Sequence, residues 1–155
     1  MTPEPVLHIV LMNPEIGPNA GNIGRLGLGI GARLHLVHPL GFKTDDKAVR
    51  RAGLDYWKHV DVVEHETPGA FWAWASGRNV YPFTTKSSVS YAKIEWKRGD
   101  VILFGPESKG LDAQVLEEHG GWTIPMTGPI RSLNLSNAVA VVAYAALQEL
   151  ESDLF

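Results

Sequence analysis

Arg131-Ser-Leu-Asn-Leu-Ser-Asn-Ala138 runs straight into Val139-Ala-Val-Val-Ala-Tyr-Ala-Ala-Leu147, a polar octad set against an almost wholly apolar segment. The apolar run predicts a helix over 134–149 that is hydrophobic on every side and so must be buried all round. A helix start needs one N-cap, a side chain that accepts a hydrogen bond from a free N–H of the first turn. Ser132, Asn134, Ser136 and Asn137 are four candidates, with Arg131 beside them. The surplus points to a helix start that faces a ligand or carries chemistry. A single cap with solvated neighbours accounts for the same letters.

Working back from this helix, apolar runs alternate with amphipathic or polar ones. Strands are expected at 6–12, 34–37, 61–63, 80–84, 101–104 and 122–125. Helices are expected at 19–30, 45–52 (capped by Thr44), 69–75 (opened by Thr67-Pro68, with Pro at N1) and 112–118. The polar stretch 87–98 reads as a surface loop. Regular β/α alternation implies an α/β fold, a mostly parallel sheet flanked by helices on both faces. Such sheets bind ligands beyond the carboxyl ends of their strands. The polar segments 13–25, 84–86, 105–110 and 126–137 all fall at such ends, and their convergence argues for one site.

At 155 residues, 45% hydrophobic and 20% charged, the chain reads as one globular domain over 1–155. It has no cysteine, which removes disulfides, thiolate zinc sites and a cysteine nucleophile together. The first apolar run is too short for a signal peptide or membrane span, so a cytoplasmic protein without a membrane partner is expected. The net charge of −3 carries no global nucleic-acid signal. Its distribution is uneven, however. Residues 19–58 hold seven Lys/Arg against three Asp, and 112–155 hold one Arg against six acids. A local basic face can bind phosphates on an acidic protein, because the Debye length is only ~8 Å at physiological salt.

Three motifs carry the chemistry. Asn19 and Arg25 stand six residues apart on the first helix, with Asn22 between them; steps of three keep them near one face, where a helix N-terminus plus Arg suits a phosphate or a developing oxyanion. Gly105-Pro-Glu-Ser-Lys-Gly110 follows a strand, and its glycines permit close approach of backbone to ligand. The third motif is Ser132-Leu-Asn-Leu-Ser136 itself. Gly27-Leu-Gly-Ile-Gly-Ala32 matches G-x-G-x-x-A literally but sits late in a helix, with no acid after the next strand, so it is rejected as a dinucleotide loop. The six histidines have no metal-ligand spacing; His8 and His35 read as satisfied core residues. Trp72 and Trp74 lie two apart on a helix, so at most one points inward.

Together the three motifs resemble the SPOUT superfamily of RNA methyltransferases, in its SpoU-type 2′-O-ribose branch. The short length and the segments PEIGPNAGNIGRL, HPLGF, RRAGLDYW, FTTK and IPM are similar to the TrmL-type group, which acts on the wobble nucleotide of leucine tRNAs. Gly17, Phe83 and Lys109 depart from common family choices. The resemblance implies a deep trefoil knot near the C-terminus, a homodimer, and S-adenosyl-L-methionine as methyl donor, leaving S-adenosyl-L-homocysteine, with no metal. It implies cofactor contacts from Phe83, Gly105, Ile124, Ser132 and Leu133. It further implies catalytic roles for Asn19, Arg25, Glu107 and Asn134, with Glu107 holding Arg25 or Asn134. The tRNA anticodon arm would meet Arg25, Lys43, Lys47, Arg50 and Arg51. The rivals are 2′-O-methylation of another tRNA position or of rRNA, a knotted RNA-binding protein without catalysis, and a nucleotide-binding oxidoreductase.

Overall fold

The computed structural model of the protein describes residues 3–44 and 54–155. Five strands form one parallel sheet: β1 (Leu7–Met12), β2 (Arg33–Val37), β3 (Val62–His65), β4 (Val80–Pro82) and β5 (Asp100–Phe104), in the order β3-β2-β1-β5-β4. The helices are α1 (Gly17–Ile30), α2 (Pro68–Ala75), α3 (Ala113–His119) and α4 (Leu135–Leu150). Short 3₁₀ turns at Leu54–His59, Tyr91–Lys93 and Ser152–Leu154 complete the described elements. The expected helix over 45–52 and the cations Lys47, Arg50 and Arg51 lie outside the described residues.

β1 and β5 are buried along their whole length, as strands covered on both faces must be. Their alternate side chains feed two cores. Ile9, Leu11, Leu34, Leu36, Ile102 and Phe104 pack under α1 and α4 with Ile23, Val139, Val142 and Ala146. Val10, Met12, Val37, Val101 and Leu103 pack under α2 and α3 with Phe71 and Leu111. Thr67 caps α2, its Oγ1 accepting from the Ala70 N–H at 3.0 Å, a device worth ~1 kcal/mol. Gly24 lets α1 lie against the 54–59 turn: a Cβ there would stand 2.7 Å from the Trp57 ring.

Four expectations are corrected. The segment 122–125 is not a sheet strand. Trp122 and Thr123 make isolated bridges to Phe83 and Ser90, and because these neighbours bond to two different segments no ladder develops. The stretch 87–98 is not simply a surface loop, since Ile94 and Trp96 are buried in the first core. α4 is not buried all round within one chain. Val139, Val142, Ala143, Ala146 and Leu147 form a single inward stripe, while Val141 and Tyr144 are exposed. Nor do Asn19, Asn22 and Arg25 share a face. Asn19 is buried, whereas Asn22 and Arg25 are exposed. Each three-residue step falls about 60° short of a full turn, so Arg25 stands about 120° round the helix from Asn19. The rejected glycine motif lies where expected, in the last turns of α1. Gly31 there closes the helix at φ 76° and donates its N–H to the Gly27 carbonyl.

Candidate active site

The chain segments beyond the carboxyl ends of β1, β4 and β5, together with the segment leading into α4, enclose one cavity of about 400 Å³, within the range of small-molecule sites. Phe83, Phe104, Ile124 and Leu133 supply apolar wall; Lys86, Lys109 and Arg131 bring cations to it; among the described residues Glu107 is the one carboxylate in its lining. Gly105 is required by the loop's own path, because a Cβ would lie 2.3 Å from the Gly110 carbonyl carbon and the Leu111 nitrogen.

A hydrogen-bonded network ties these segments together. α1 starts at Ile16, whose side chain cannot cap it. Glu107 does so from the loop after β5, its two carboxylate oxygens accepting from the Glu15 N–H at 2.8 Å and the Ile16 N–H at 2.9 Å. A carboxylate at a helix N-terminus also meets the positive end of the helix dipole. The same carboxylate accepts from Asn19 Nδ2 at 3.2 Å. Asn19 Oδ1 in turn accepts from Asn134 Nδ2 at 3.2 Å. Asn134 caps α4, its Oδ1 accepting from the Ser136 N–H at 2.9 Å and the Ser136 hydroxyl at 2.6 Å. One line of side chains thus joins the starts of two helices through Asn19 and Asn134, which are 115 residues apart in sequence. Glu15 answers Glu107: its Oε1 accepts from the Ser108 N–H at 2.8 Å, and these Ser108 bonds hold the Glu15 carboxyl below the usual carboxylate range.

Among the sequence-predicted residues, Asn19, Phe83, Gly105, Glu107, Ile124, Ser132, Leu133 and Asn134 all line this cavity. Arg25 does not. It lies on the exposed side of α1, its guanidinium carbon 5.5 Å from the centre of the Tyr56 ring. Glu107 therefore holds Asn19 and the first turn of α1, not Arg25 or Asn134. Lys43 is exposed in the loop after β2. Sequence reasoning missed Glu15, although the two loops repeat one dipeptide, Pro14-Glu15 and Pro106-Glu107.

It also missed a second network. His8, His35 and His65, from β1, β2 and β3, form a hydrogen-bonded row beneath α2. His8 Nδ1 lies 2.8 Å from His35 Nε2, and His35 Nδ1 lies 2.9 Å from His65 Nε2. His8 Nε2 meets Glu4 Oε1 at 2.9 Å. An ionised carboxylate only accepts, so this contact requires the Nε2–H form of His8, and the bonds along the row impose the same tautomer on the next two rings. Trp74 covers all three, with ring centres 4.4 to 5.7 Å away. Burial lowers all three histidine pKa values, His35 to about 2. Trp72 turns the other way and stacks on His119. Among the described residues, no group of three or more His, Cys, Asp or Glu could hold a metal ion, and no helix is long and apolar enough to cross a membrane.

An all-parallel sheet with a mixed polar and apolar cavity beyond its carboxyl ends, laced to two helix N-termini, defines an α/β fold with a candidate small-molecule site at that end. The chain belongs to the SpoU rRNA Methylase family, whose profile matches residues 6–144, and is a methyltransferase. It is 43% identical over 148 residues to the tRNA (cytidine(34)-2′-O)-methyltransferase of Escherichia coli (strain K12), covering 94% of each chain. A solved structure described as giving insight into the 2-OH methylation of C/U34 on tRNA superposes with a TM-score of 0.92 at 44% identity, covering 97% of this chain and 99% of that one. The AdoMet-bound rRNA methyltransferase of Sinorhizobium meliloti superposes with a TM-score of 0.84 at 26% identity, covering 96% of this chain and 58% of that one. Methyltransferases of this family bind AdoMet.

Proposed function

We propose that one domain spanning 1–155 transfers a methyl group from S-adenosyl-L-methionine to the ribose 2′-OH of the wobble nucleotide, cytidine or modified uridine, in leucine tRNAs. The observation that carries this reading is the single cavity into which Asn19, the 105–110 loop and the 132–136 segment converge. Near-full-length similarity to the E. coli wobble methyltransferase supports the substrate. The cavity suits the cofactor chemically. Its aromatic and aliphatic wall fits an adenine ring, and Lys86, Lys109 and Arg131 suit a carboxylate tail. Phe83, Gly105, Ile124, Ser132 and Leu133 would hold the cofactor, which supplies an electrophilic methyl on a sulfonium and needs no metal.

The chain's own residues bind and orient the RNA. A guanidinium with a pKa above ~12 is a poor base, so Arg25 binds phosphate and stabilises the developing 2′-oxyanion. Asn19 and Asn134 shape the ribose side of the cavity, and Glu107 fixes Asn19. Lys43, Lys47, Arg50 and Arg51 meet the anticodon arm. The reading carries with it the C-terminal trefoil knot, a cytoplasmic location and a homodimer. One observation supports the dimer: α1 and α4 pack together while Leu28, Val141 and Tyr144 face outward; in this reading the second copy would bring Arg25 to the cavity.

The test is methyl transfer to purified tRNA with the modified nucleotide mapped. Wild type should modify the wobble ribose. Arg25→Ala should abolish transfer while leaving cofactor affinity, by calorimetry, within about threefold, a change of well under 1.4 kcal/mol. Modification of ribosomal RNA with tRNA untouched would replace the substrate, and equal loss of cofactor binding would undo the role given to Arg25.

A further inference from the structure

The two Pro-Glu dipeptides form a reciprocal clasp. Glu107 accepts from the backbone of residues 15 and 16, and Glu15 accepts from the backbone of residue 108. The Glu107 half of the clasp touches the cavity. The Glu15 half approaches it indirectly: the Glu15 side chain is exposed and is no part of the lining, and its carboxylate reaches the site through Ser108, which lines the cavity together with Glu107 and Lys109. The loop carrying Glu15 is itself anchored from behind. Asn13, at φ 49°, donates its Nδ2 to the Val37 carbonyl at 3.1 Å. Gly41 donates its N–H to the Pro14 carbonyl at 2.9 Å, and a Cβ on Gly41 would fall 2.6 Å from the Glu15 carbonyl oxygen. The loop after β1 is therefore a braced arm, and the Glu15 carboxylate is its contact with the loop after β5. On the far side of that second loop, Gly110 is at φ 71° and its N–H closes on the Pro106 carbonyl. Residues 107–109 are thus held at their middle by Glu15 and at their ends by the turn.

We infer that Glu15 is a positioning residue of the methyltransferase site, holding the 105–110 loop in the shape that receives the cofactor. The inference rests on the reading of this cavity as the cofactor site. Removing the carboxylate frees the Ser108 N–H and lets the loop move, whereas glutamine keeps an acceptor oxygen at the same reach. Glu15→Ala should weaken binding of S-adenosyl-L-homocysteine about tenfold, the scale of one charge-assisted hydrogen bond. It should raise the cofactor KM by a similar factor and leave kcat within about threefold, since Glu15 touches none of the reacting groups. Glu15→Gln should recover most of the affinity.

Two measurements decide it. Amide hydrogen exchange on the protein without cofactor should speed up across 105–110 in Glu15→Ala and stay near wild type in Glu15→Gln. Calorimetry with S-adenosyl-L-homocysteine should follow the same order. Unchanged exchange in Glu15→Ala overturns the clasp. Faster exchange with wild-type affinity overturns the positioning role, as does a Gln variant as impaired as Ala. If wild type itself binds no S-adenosyl-L-homocysteine, the cofactor reading fails first, and the exchange result still stands or falls for the clasp.

Discussion

The protein contains two rows of bonded polar side chains, and their settings differ. One runs Glu107–Asn19–Asn134 across the carboxyl ends of β1 and β5, with Asn134 exposed and a cavity along its flank. The other runs Glu4–His8–His35–His65 across three strands, with every imidazole buried and Trp74 laid over them. Both satisfy their members; among the described residues no buried side-chain nitrogen or oxygen lacks a partner. The histidines are the more conventional catalytic residue type, yet they form the closed row. Of the two rows, only the one without histidines has a cavity along its flank, so residue type alone is a poor guide to which row a ligand could reach.

Substitutions can break this contrast. Glu107→Ala removes the acceptor for three N–H groups at the open row. It should cost at least about 100-fold in methyl transfer, the scale of a roughly 1 Å displacement of reacting groups, together with the ~1 kcal/mol of stability typical of a lost helix cap; a variant losing stability but not activity would dissolve the distinction. His35→Leu attacks the closed row. It strands His8 Nδ1 and His65 Nε2, partly offset by apolar burial, and should cost about 2 kcal/mol of stability in denaturant melts. Activity per folded molecule should remain within about twofold, and a larger loss would tie the histidines to the site.

The pH response sharpens the contrast further. Burial, reinforced by the neighbouring His8, His65, Arg33 and Arg78, lowers the His35 pKa from 6.5 to about 2. Below pH 6.5 the unfolded chain takes up a proton that the folded chain refuses. Stability is therefore complete above the unfolded pKa and falls as the solution is acidified towards the folded one, by about 1.4 kcal/mol per pH unit for each such group. Stability measured between pH 6.5 and 5 should fall less steeply in His35→Leu than in wild type by about that amount, and identical slopes would count against the buried neutral row. The smallest effect is expected of Asn134→Ser. Serine preserves the α4 cap, so stability should change by less than about 0.5 kcal/mol. The donor to Asn19 disappears, however, and turnover should drop; a fully active serine variant would reduce Asn134 to a cap.

Much of this was legible in the sequence, for definite reasons. The first five strands and the ends of α2 and α4 follow from apolar runs and from local signals such as Thr67-Pro68 and Asn134, whereas α1 begins at Gly17, ahead of the expected Asn19, because its start is held by Glu107 and not by a local cap. The site could be read because its residues sit in loops after strands, where topology brings them together whatever their separation. Arg25 was misplaced because a three-residue step approximates a helical turn only once; repeated, the error grows. The histidine row was invisible because β-strand register, not spacing, aligns His8, His35 and His65, which lie 27 and 30 residues apart. The 122–125 segment has strand composition but meets two different partners. Glu15 escaped notice because its role is reciprocal, and neither loop alone displays it.

The cap on α1 has a consequence for how the chain acquires its shape. A helix normally carries its own starting signal, but this one borrows it from Glu107, 91 residues downstream of Ile16. β1, which leads into it, likewise pairs Leu7 with Asp100. The first turn of α1 therefore gains this acceptor only when the loop after β5 is in place, and bringing such distant segments together requires closing a long loop. Because β1, α1 and β2 precede β5 in the chain, the contact that completes the start of α1 comes with the same strand and loop that supply part of the pocket.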